Sequence, residues 1–131
     1  MIDFKKINYL AIGIAGFVLF CIQGIWYGLL FGVEYAKQTG QSMGAPIFIT
    51  IIMLFVGTLF PLGISIIYNM INKKSFINAI IVSLIIFVTV ILSYNLPDLI
   101  YVNKPVLFLI NTGYMLIASI VSGVSIGLLQ K

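Results

Sequence analysis

The sequence has very few of the side chains on which enzymes, metal sites and redox centres depend. Its 131 residues include no histidine, one cysteine and three acids, Asp3, Glu34 and Asp98. Because histidine and cysteine are the usual ligands of zinc, haem and iron–sulfur clusters, we expect no metal site and no cofactor. The single cysteine, Cys21, also excludes an intramolecular disulfide. None of the acids lies inside a long apolar stretch, so no buried carboxylate pair is available for acid–base catalysis.

Sequence motifs of the common enzyme classes are missing as well. The chain has no phosphate-binding glycine loop, no nucleophile elbow around a serine and no HExxH pattern. Together with the scarcity of titratable groups, this predicts that the protein has no catalytic residues and is not an enzyme.

Charged residues of both signs are scarce, and apolar residues replace them. Charged residues make up 8% of the chain and apolar residues 62%, whereas an average soluble domain has about 25% and 45–50%. So few charges cannot cover the surface of a soluble protein of this length, which excludes a soluble monomer and a disordered chain. The net charge of +4 comes from scattered lysines without any arginine, so we expect no binding to nucleic acid. The composition predicts a membrane protein in contact with the lipid bilayer.

The charged residues separate four apolar stretches, each long enough to cross about 30 Å of hydrocarbon as a helix. The chain lacks the alternating segments of about ten residues that are typical of barrel strands. The first stretch ends in WYG rather than in a small-residue cleavage site, so we interpret it as a retained helix and not as a signal peptide. We predict one all-α membrane domain over residues 1–131, a transmembrane four-helix bundle of two antiparallel hairpins. The predicted helices cover about residues 7–30, 45–71, 76–94 and 106–129.

The lysines predict the orientation of these helices. With four spans, both chain ends lie on the same side of the membrane, and that side carries five of the seven lysines. Because lysines in short segments favour the cytoplasmic side, we predict a protein of the cytoplasmic membrane with both termini in the cytoplasm. The five lysines are Lys5, Lys6, Lys73, Lys74 and Lys131, and the two on the other side are Lys37 and Lys104.

The loop after the first helix is long enough for a short helix at the membrane surface, ended by Gly40 or Gly44. On such a helix Glu34 and Lys37 have the spacing of an i,i+3 ion pair. Pro105 suits the first turn of the fourth helix, where a backbone N–H has no helical partner.

Small residues spaced four apart predict where the helices pack, because close approach of the backbones drives helix association in lipid. The fourth helix has two small or polar faces and is expected to pack on two neighbours. The third has no glycine, so we expect it to face lipid or another copy of the chain. Pro61 predicts a kink in the second helix, either as a packing device or as a hinge. The predicted packing residues are Gly24, Gly28, Gly32, Gly57, Pro61, Ser119, Gly123 and Gly127.

Two amides lie at similar depths in the predicted membrane interior, Gln23 in the first helix and Asn111 in the fourth. We expect them to face the bundle interior, bonded to each other or each to a nearby backbone carbonyl. A solute or lipid-headgroup site at these amides is the functional alternative.

The aromatic rings near the helix ends are typical of a membrane-interface belt, and Trp26-Tyr27 within the glycine row also suggests a specific packing role. The candidate polar and aromatic cluster is Gln23, Trp26, Tyr27, Asn111 and Tyr114.

Two blocks of the sequence resemble the signatures of a known family, DUF1761. The first block is GIWYGLLFG at residues 24–32, followed by Tyr35, Lys37, Thr39 and Gly40; the second joins Lys104-Pro105 to INTGY at residues 110–114 and to Gly123. The length and the four-helix layout resemble the family too. The resemblance implies a small bacterial-type integral membrane protein, and it implies no activity because the function of that family is unknown.

These observations leave three functions open. The first is a non-enzymatic membrane protein that acts through helix packing, self-association as a homo-oligomer or binding of a partner membrane protein. The second is a permease or channel subunit for a small neutral solute or a lipid-like molecule, which predicts a cavity lined by Gln23, Ser65 and Asn111. The third is a membrane enzyme that uses the charged residues of the outer interface.

Overall fold

The structure, a computed structural model, describes residues 7–41, 47–71 and 74–130. Over these residues all the regular elements are helices, and four of them are long and apolar enough to cross a membrane. The predicted all-α, membrane-spanning fold is confirmed. The helices are α1 (Tyr9–Leu30), α2 (Gly32–Thr39), α3 (Ile47–Asn69), α4 (76–100) and α5 (Pro105–Leu129).

The long helices begin at residues that satisfy or remove free backbone N–H groups. The Asn8 side chain accepts a 3.1 Å hydrogen bond from Ala11 N at the start of α1, and Ser75 Oγ accepts one of the same length from Asn78 N at the start of α4. Such caps contribute about 1 kcal/mol each. Pro105 is the first residue of α5, as predicted, because its missing N–H is not needed there.

The small-residue row of α5 packs tightly against α4. A Cβ atom at Gly123 would overlap Ser83 and would lie 3.0 Å from Ile80 Cα, and one at Gly127 would lie 3.0 Å from the Phe76 ring. Ser119 and Ser122 on the same helix are completely buried. This close contact makes α5 the helix around which the others pack.

The contact between α1 and α3 depends on a glycine that the sequence patterns do not single out. A Cβ atom at Gly16 would lie 2.5 Å from Thr58 Cγ2 and 3.1 Å from Thr58 Cα. The two helices therefore approach closely at this level only because residue 16 has no side chain. Gly16 has no small residue four positions later in the chain, which is why the spacing rule misses it.

Three glycines predicted to pack make no helix contact in the described part of the chain. A Cβ atom at Gly24, Gly28 or Gly57 would have no heavy atom of another element within 4 Å. Gly28 lies in a π-helical turn of α1, in which Phe31 N donates to Trp26 O five residues earlier. The additional residue in this turn rotates Gly28 relative to the regular helix that contains Gly16. Gly24 precedes the turn. Within the described residues, packing of this chain thus uses none of these three glycines, and a packing role for Gly24, Gly28 and Gly57 stays a prediction.

The helix least enclosed by the chain is α3 and not α4. In the most apolar 18-residue window of each helix, 11% of residues are buried in α3, 22% in α4 and 39% in α5. The glycine-free third span also leaves most of its surface outside the bundle, with Ile77 and Ile85 exposed, while its other face contacts the glycines of α5. Whether it faces lipid or another copy of the chain stays a prediction. Pro61 lies in α3 at a buried position, and the helix continues on both sides of it.

The predicted short helix is α2, which ends at Gly40 in the left-handed conformation, with φ of +72°. Glu34 and Lys37 form the predicted i,i+3 ion pair, with 3.9 Å between Lys37 Nζ and Glu34 Oε2. The Lys104 ammonium group donates to the backbone oxygen of Gln38 in the last turn of α2. A cation at this position offsets the negative end of the helix dipole and ties α2 to the start of α5.

Several residues of the sequence predictions lie outside the described residues. Both the orientation of the helices and the choice of membrane depend on lysines of this group, so these two statements stay predictions. The residues concerned are Asp3, Lys5, Lys6, Gly44, Lys73 and Lys131.

Candidate functional site

An open groove of about 550 Å³ lies between α1, α2, α3 and α5, at the end of the bundle that carries α2. Its volume lies within the range of about 300–1,000 Å³ that is typical of small-molecule sites. We call it the α1–α3 groove, because these two helices form its facing walls above their contact at Gly16 and Thr58.

The space in the groove comes from two glycines of α1. Gly24 and Gly28 line it and have open space where a Cβ atom would be. Gly32, which also lines the groove, is the first residue of α2 and is buried. Thr50 and Met53 of α3 form the opposite wall. The row that was expected to bring two helices together instead leaves room between them.

Two consecutive aromatic residues fix this part of α1 to α5. Trp26 Nε1 donates a 3.0 Å hydrogen bond to the backbone oxygen of Ile110, and Tyr27 Oη donates one of 3.0 Å to Asn111 Oδ1. In a regular α-helix neighbouring residues point in different directions. Both residues lie in the π-helical turn, and both reach α5. Gly113 makes room for the indole ring, since a Cβ atom there would lie 3.0 Å from Trp26 Cζ2.

Three tyrosine rings from three helices meet in the groove wall. The Tyr27 ring contacts Tyr35 of α2 at 4.9 Å and Tyr114 of α5 at 5.3 Å between centroids, both edge to face. Each such pair contributes about 0.5–1.5 kcal/mol beyond its buried area. The cluster therefore holds α1, α2 and α5 together where the groove is open. Tyr35 was predicted only as part of the aromatic belt and the family signature.

The structure brings together four of the five predicted cluster residues, and the fifth has no polar partner among the residues that the structure describes. Asn111 accepts its hydrogen bond from Tyr27 and not from Gln23, so the predicted direct pair of amides is wrong. Gln23 is partly buried and lines the groove beside Tyr27 and Tyr114. Over residues 7–41, 47–71 and 74–130 its side-chain amide makes no hydrogen bond.

The permease prediction named Ser65 as a cavity residue, and the structure places it elsewhere. Ser65 is completely buried at the opposite end of the bundle, where its hydroxyl donates to Gln130 Oε1. Of the three residues expected around a cavity, only Gln23 lines the groove. Met53 and Met115 also line it, and no sequence pattern distinguishes these methionines from ordinary lipid-facing or core residues.

Among the described residues, the lining of the groove contains no acid and no lysine. The ion pair of α2 and the Lys104 ammonium group lie outside it, and the described residues include no group of three side chains that could hold a metal ion. Cys21 is exposed and lines the groove. The groove thus offers amide, hydroxyl, thiol, thioether and aromatic groups, which suit binding of an uncharged molecule.

Comparison with known proteins gives a family but no characterised relative. The model of a family described as a protein of unknown function, DUF1761, matches residues 10–127. No curated protein and no solved structure matches the chain. The matched region covers every residue that lines the groove and nearly the whole chain. This protein therefore belongs to the DUF1761 family, whose function is unknown.

Proposed function

We propose that this protein is a non-enzymatic membrane protein that binds an uncharged, lipid-like molecule in the α1–α3 groove. The observation that carries the proposal is the groove itself: about 550 Å³ of open space beside Gly24 and Gly28, with no charged residue among the described residues of its lining.

The lining argues for an uncharged ligand. A charge at membrane depth is costly unless a counter-ion or ordered water compensates it. The amide of Gln23 and the hydroxyl of Tyr35 can form hydrogen bonds, but neither can neutralise a formal charge. A neutral ligand therefore loses less free energy on entering this groove than an ion.

The distribution of apolar residues argues for a lipid-like ligand. Phe20, Met53 and Met115 line the groove, and Phe20 lies about two helical turns from Tyr27 towards the bundle centre. Tyr35 and Gln41 line it at the α2 end. Methionine adapts its flexible side chain to irregular apolar partners. The site is thus apolar at depth and polar at its rim, as an amphipathic molecule requires.

The size of the groove is that of a small-molecule site. Its volume of about 550 Å³ lies within the range of about 300–1,000 Å³ in which pockets enclose small ligands. One acyl chain with a small headgroup is a ligand of this class.

Self-association is the second candidate, and the exposure of α3 favours it. Phe48 and Phe55 are each 69% exposed, and only 11% of the most apolar window of this helix is buried. A second copy of the chain could cover this face. Native mass spectrometry compares the oligomeric state of Phe55→Ala with that of the unchanged protein. A dimer that is lost in the variant supports self-association, and a monomer in both proteins contradicts it.

The groove proposal is tested by filling the groove and measuring bound lipid. We expect native mass spectrometry from mild detergent to show a bound lipid-sized mass on the unchanged protein and to show less than a tenth of it on Gly28→Leu. Gly13→Leu is the matched control, because Gly13 also lies in α1 with open space around its Cβ position but does not line the groove. Equal bound mass in both variants, or none on the unchanged protein, contradicts the proposal.

A further inference from the structure

At two levels of the groove, polar groups have no hydrogen-bond partner among the described residues. Gln23 lies one helical turn, about 6 Å along the axis, from Tyr27 towards the bundle centre. Tyr35 and Gln41 lie at the α2 end. None of these three side chains donates or accepts a hydrogen bond at its groove-lining amide or hydroxyl group within the described ranges. The remaining hydrogen-bonding amide of the region, Asn111, is already bonded to Tyr27.

An amide without a partner is unfavourable in a membrane, where water does not compensate it. Asn111 Oδ1 accepts its hydrogen bond from Tyr27, and Asn111 makes no hydrogen bond with Gln23. The Gln23 amide is thus left facing the groove, together with Gly24 and Phe20. A hydrocarbon chain alone would leave this amide unpaired, whereas an uncharged acceptor on the ligand would satisfy it.

We infer that the ligand is a neutral lipid of the monoacylglycerol type, whose ester carbonyl accepts a hydrogen bond from Gln23 Nε2. This inference rests on the proposed function. The ester carbonyl and the terminal hydroxyl of such a lipid are separated by a short carbon chain, which matches the step of about one helical turn between Gln23 and Tyr27, whose ring contacts Tyr35. The hydroxyl groups then lie beside Tyr35 and Gln41, and the single acyl chain lies along Met53 and Met115.

The inference is tested with two lipids that differ in one carbonyl group. The probes are monooleoylglycerol and the corresponding monoalkylglycerol ether, which has the same hydroxyls and chain but no carbonyl. Binding is measured on the full chain in maltoside detergent as protection of Cys21 from maleimide labelling, because this residue is the single cysteine, is exposed and lines the groove. We expect the ester to bind the unchanged protein about tenfold more tightly than the ether.

The Gln23→Leu variant separates this inference from the proposed function. We expect the variant to bind both lipids with equal affinity, close to the affinity of the unchanged protein for the ether. Equal binding of ester and ether by the unchanged protein, or a tenfold preference that persists in Gln23→Leu, overturns the inference and leaves the groove as a lipid site. Failure of both lipids to protect Cys21, together with no co-purified lipid, overturns the proposed function itself. Tighter protection by oleate than by the ester also overturns the inference, because it indicates an anion site.

Discussion

Substituting single glycines by alanine distinguishes the glycines that pack from those that form the groove. At Gly123 the added methyl group would meet the backbone of α4, with Ile80 Cα at 3.0 Å and Ala79 O at 3.1 Å. Backbone atoms cannot move aside as a flexible side chain can, so α4 and α5 must separate. At Gly24 the same methyl group would enter open space. The two substitutions are chemically identical and differ only in what surrounds them.

The two substitutions are expected to change the free energy of unfolding in different directions. Overpacking of a tight contact costs about 1–3 kcal/mol, and the better helix propensity of alanine offsets up to about 1 kcal/mol of this. Gly123→Ala is therefore expected to lower the free energy of unfolding by about 1–2 kcal/mol. With about 4 °C per kcal/mol for a chain of this size, its melting temperature falls by about 4–8 °C. Gly24→Ala keeps the propensity gain and is expected to leave the melting temperature unchanged or to raise it by up to about 4 °C.

The assay is the loss of the monodisperse protein peak on size exclusion after heating in detergent. Both variants and the unchanged protein are heated side by side, with Gly57→Ala as a second open-space substitution. Equal destabilisation by Gly24→Ala and Gly123→Ala would refute the assignment of the two glycine rows. It would mean that the row in α1 packs against another helix in the folded protein.

Two further predictions concern the contacts around the groove. Tyr27→Phe removes the hydrogen bond to Asn111, and we expect it to lower the free energy of thermal unfolding by about 0.6 kcal/mol. The double variant with Asn111→Leu should lose less stability than the sum of the two single variants. Strict additivity would contradict the coupling of these two residues. Lys104→Met removes the ammonium group that bonds to Gln38 O, so hydrogen exchange of the amides of α2 should accelerate severalfold while that of α5 stays the same. Unchanged exchange in α2 would show that this bond does not hold the helix in place.

The proposed binding function depends on an open space between two membrane helices, beside small residues that do not pack. In lipid there is no hydrophobic force that closes a gap between two helices. An open space beside Gly24 and Gly28 can therefore persist as long as other contacts hold the helices. The tyrosine cluster, the Trp26 bond to Ile110 and the contact of Gly16 with Thr58 provide these contacts.

Local features of the fold could be predicted because they depend on short stretches of sequence. The four apolar helices follow from the length of hydrocarbon that a helix must cross. The end of α2 at Gly40 follows from the left-handed conformation that glycine adopts most easily, and the pair of Glu34 and Lys37 follows from helical spacing. The uncharged character of the groove also follows from the scarcity of charged residues in the apolar stretches.

The pairing of helix faces was decided only by the tertiary structure. The four-residue spacing predicts a packing role for both Gly24 and Gly123, yet Gly24 borders the groove and Gly123 lies in a tight helix contact. The π-helical turn changes the rotation of α1 within a few residues, and nothing in a 3.6-residue periodicity reveals it. The partner of Asn111 was likewise decided by which side chain of that turn reached it. The sequence by itself therefore determined which segments are helices and that their interior is neutral. The rotation and spacing of those helices, which create the groove, arise from contacts between residues far apart in the chain.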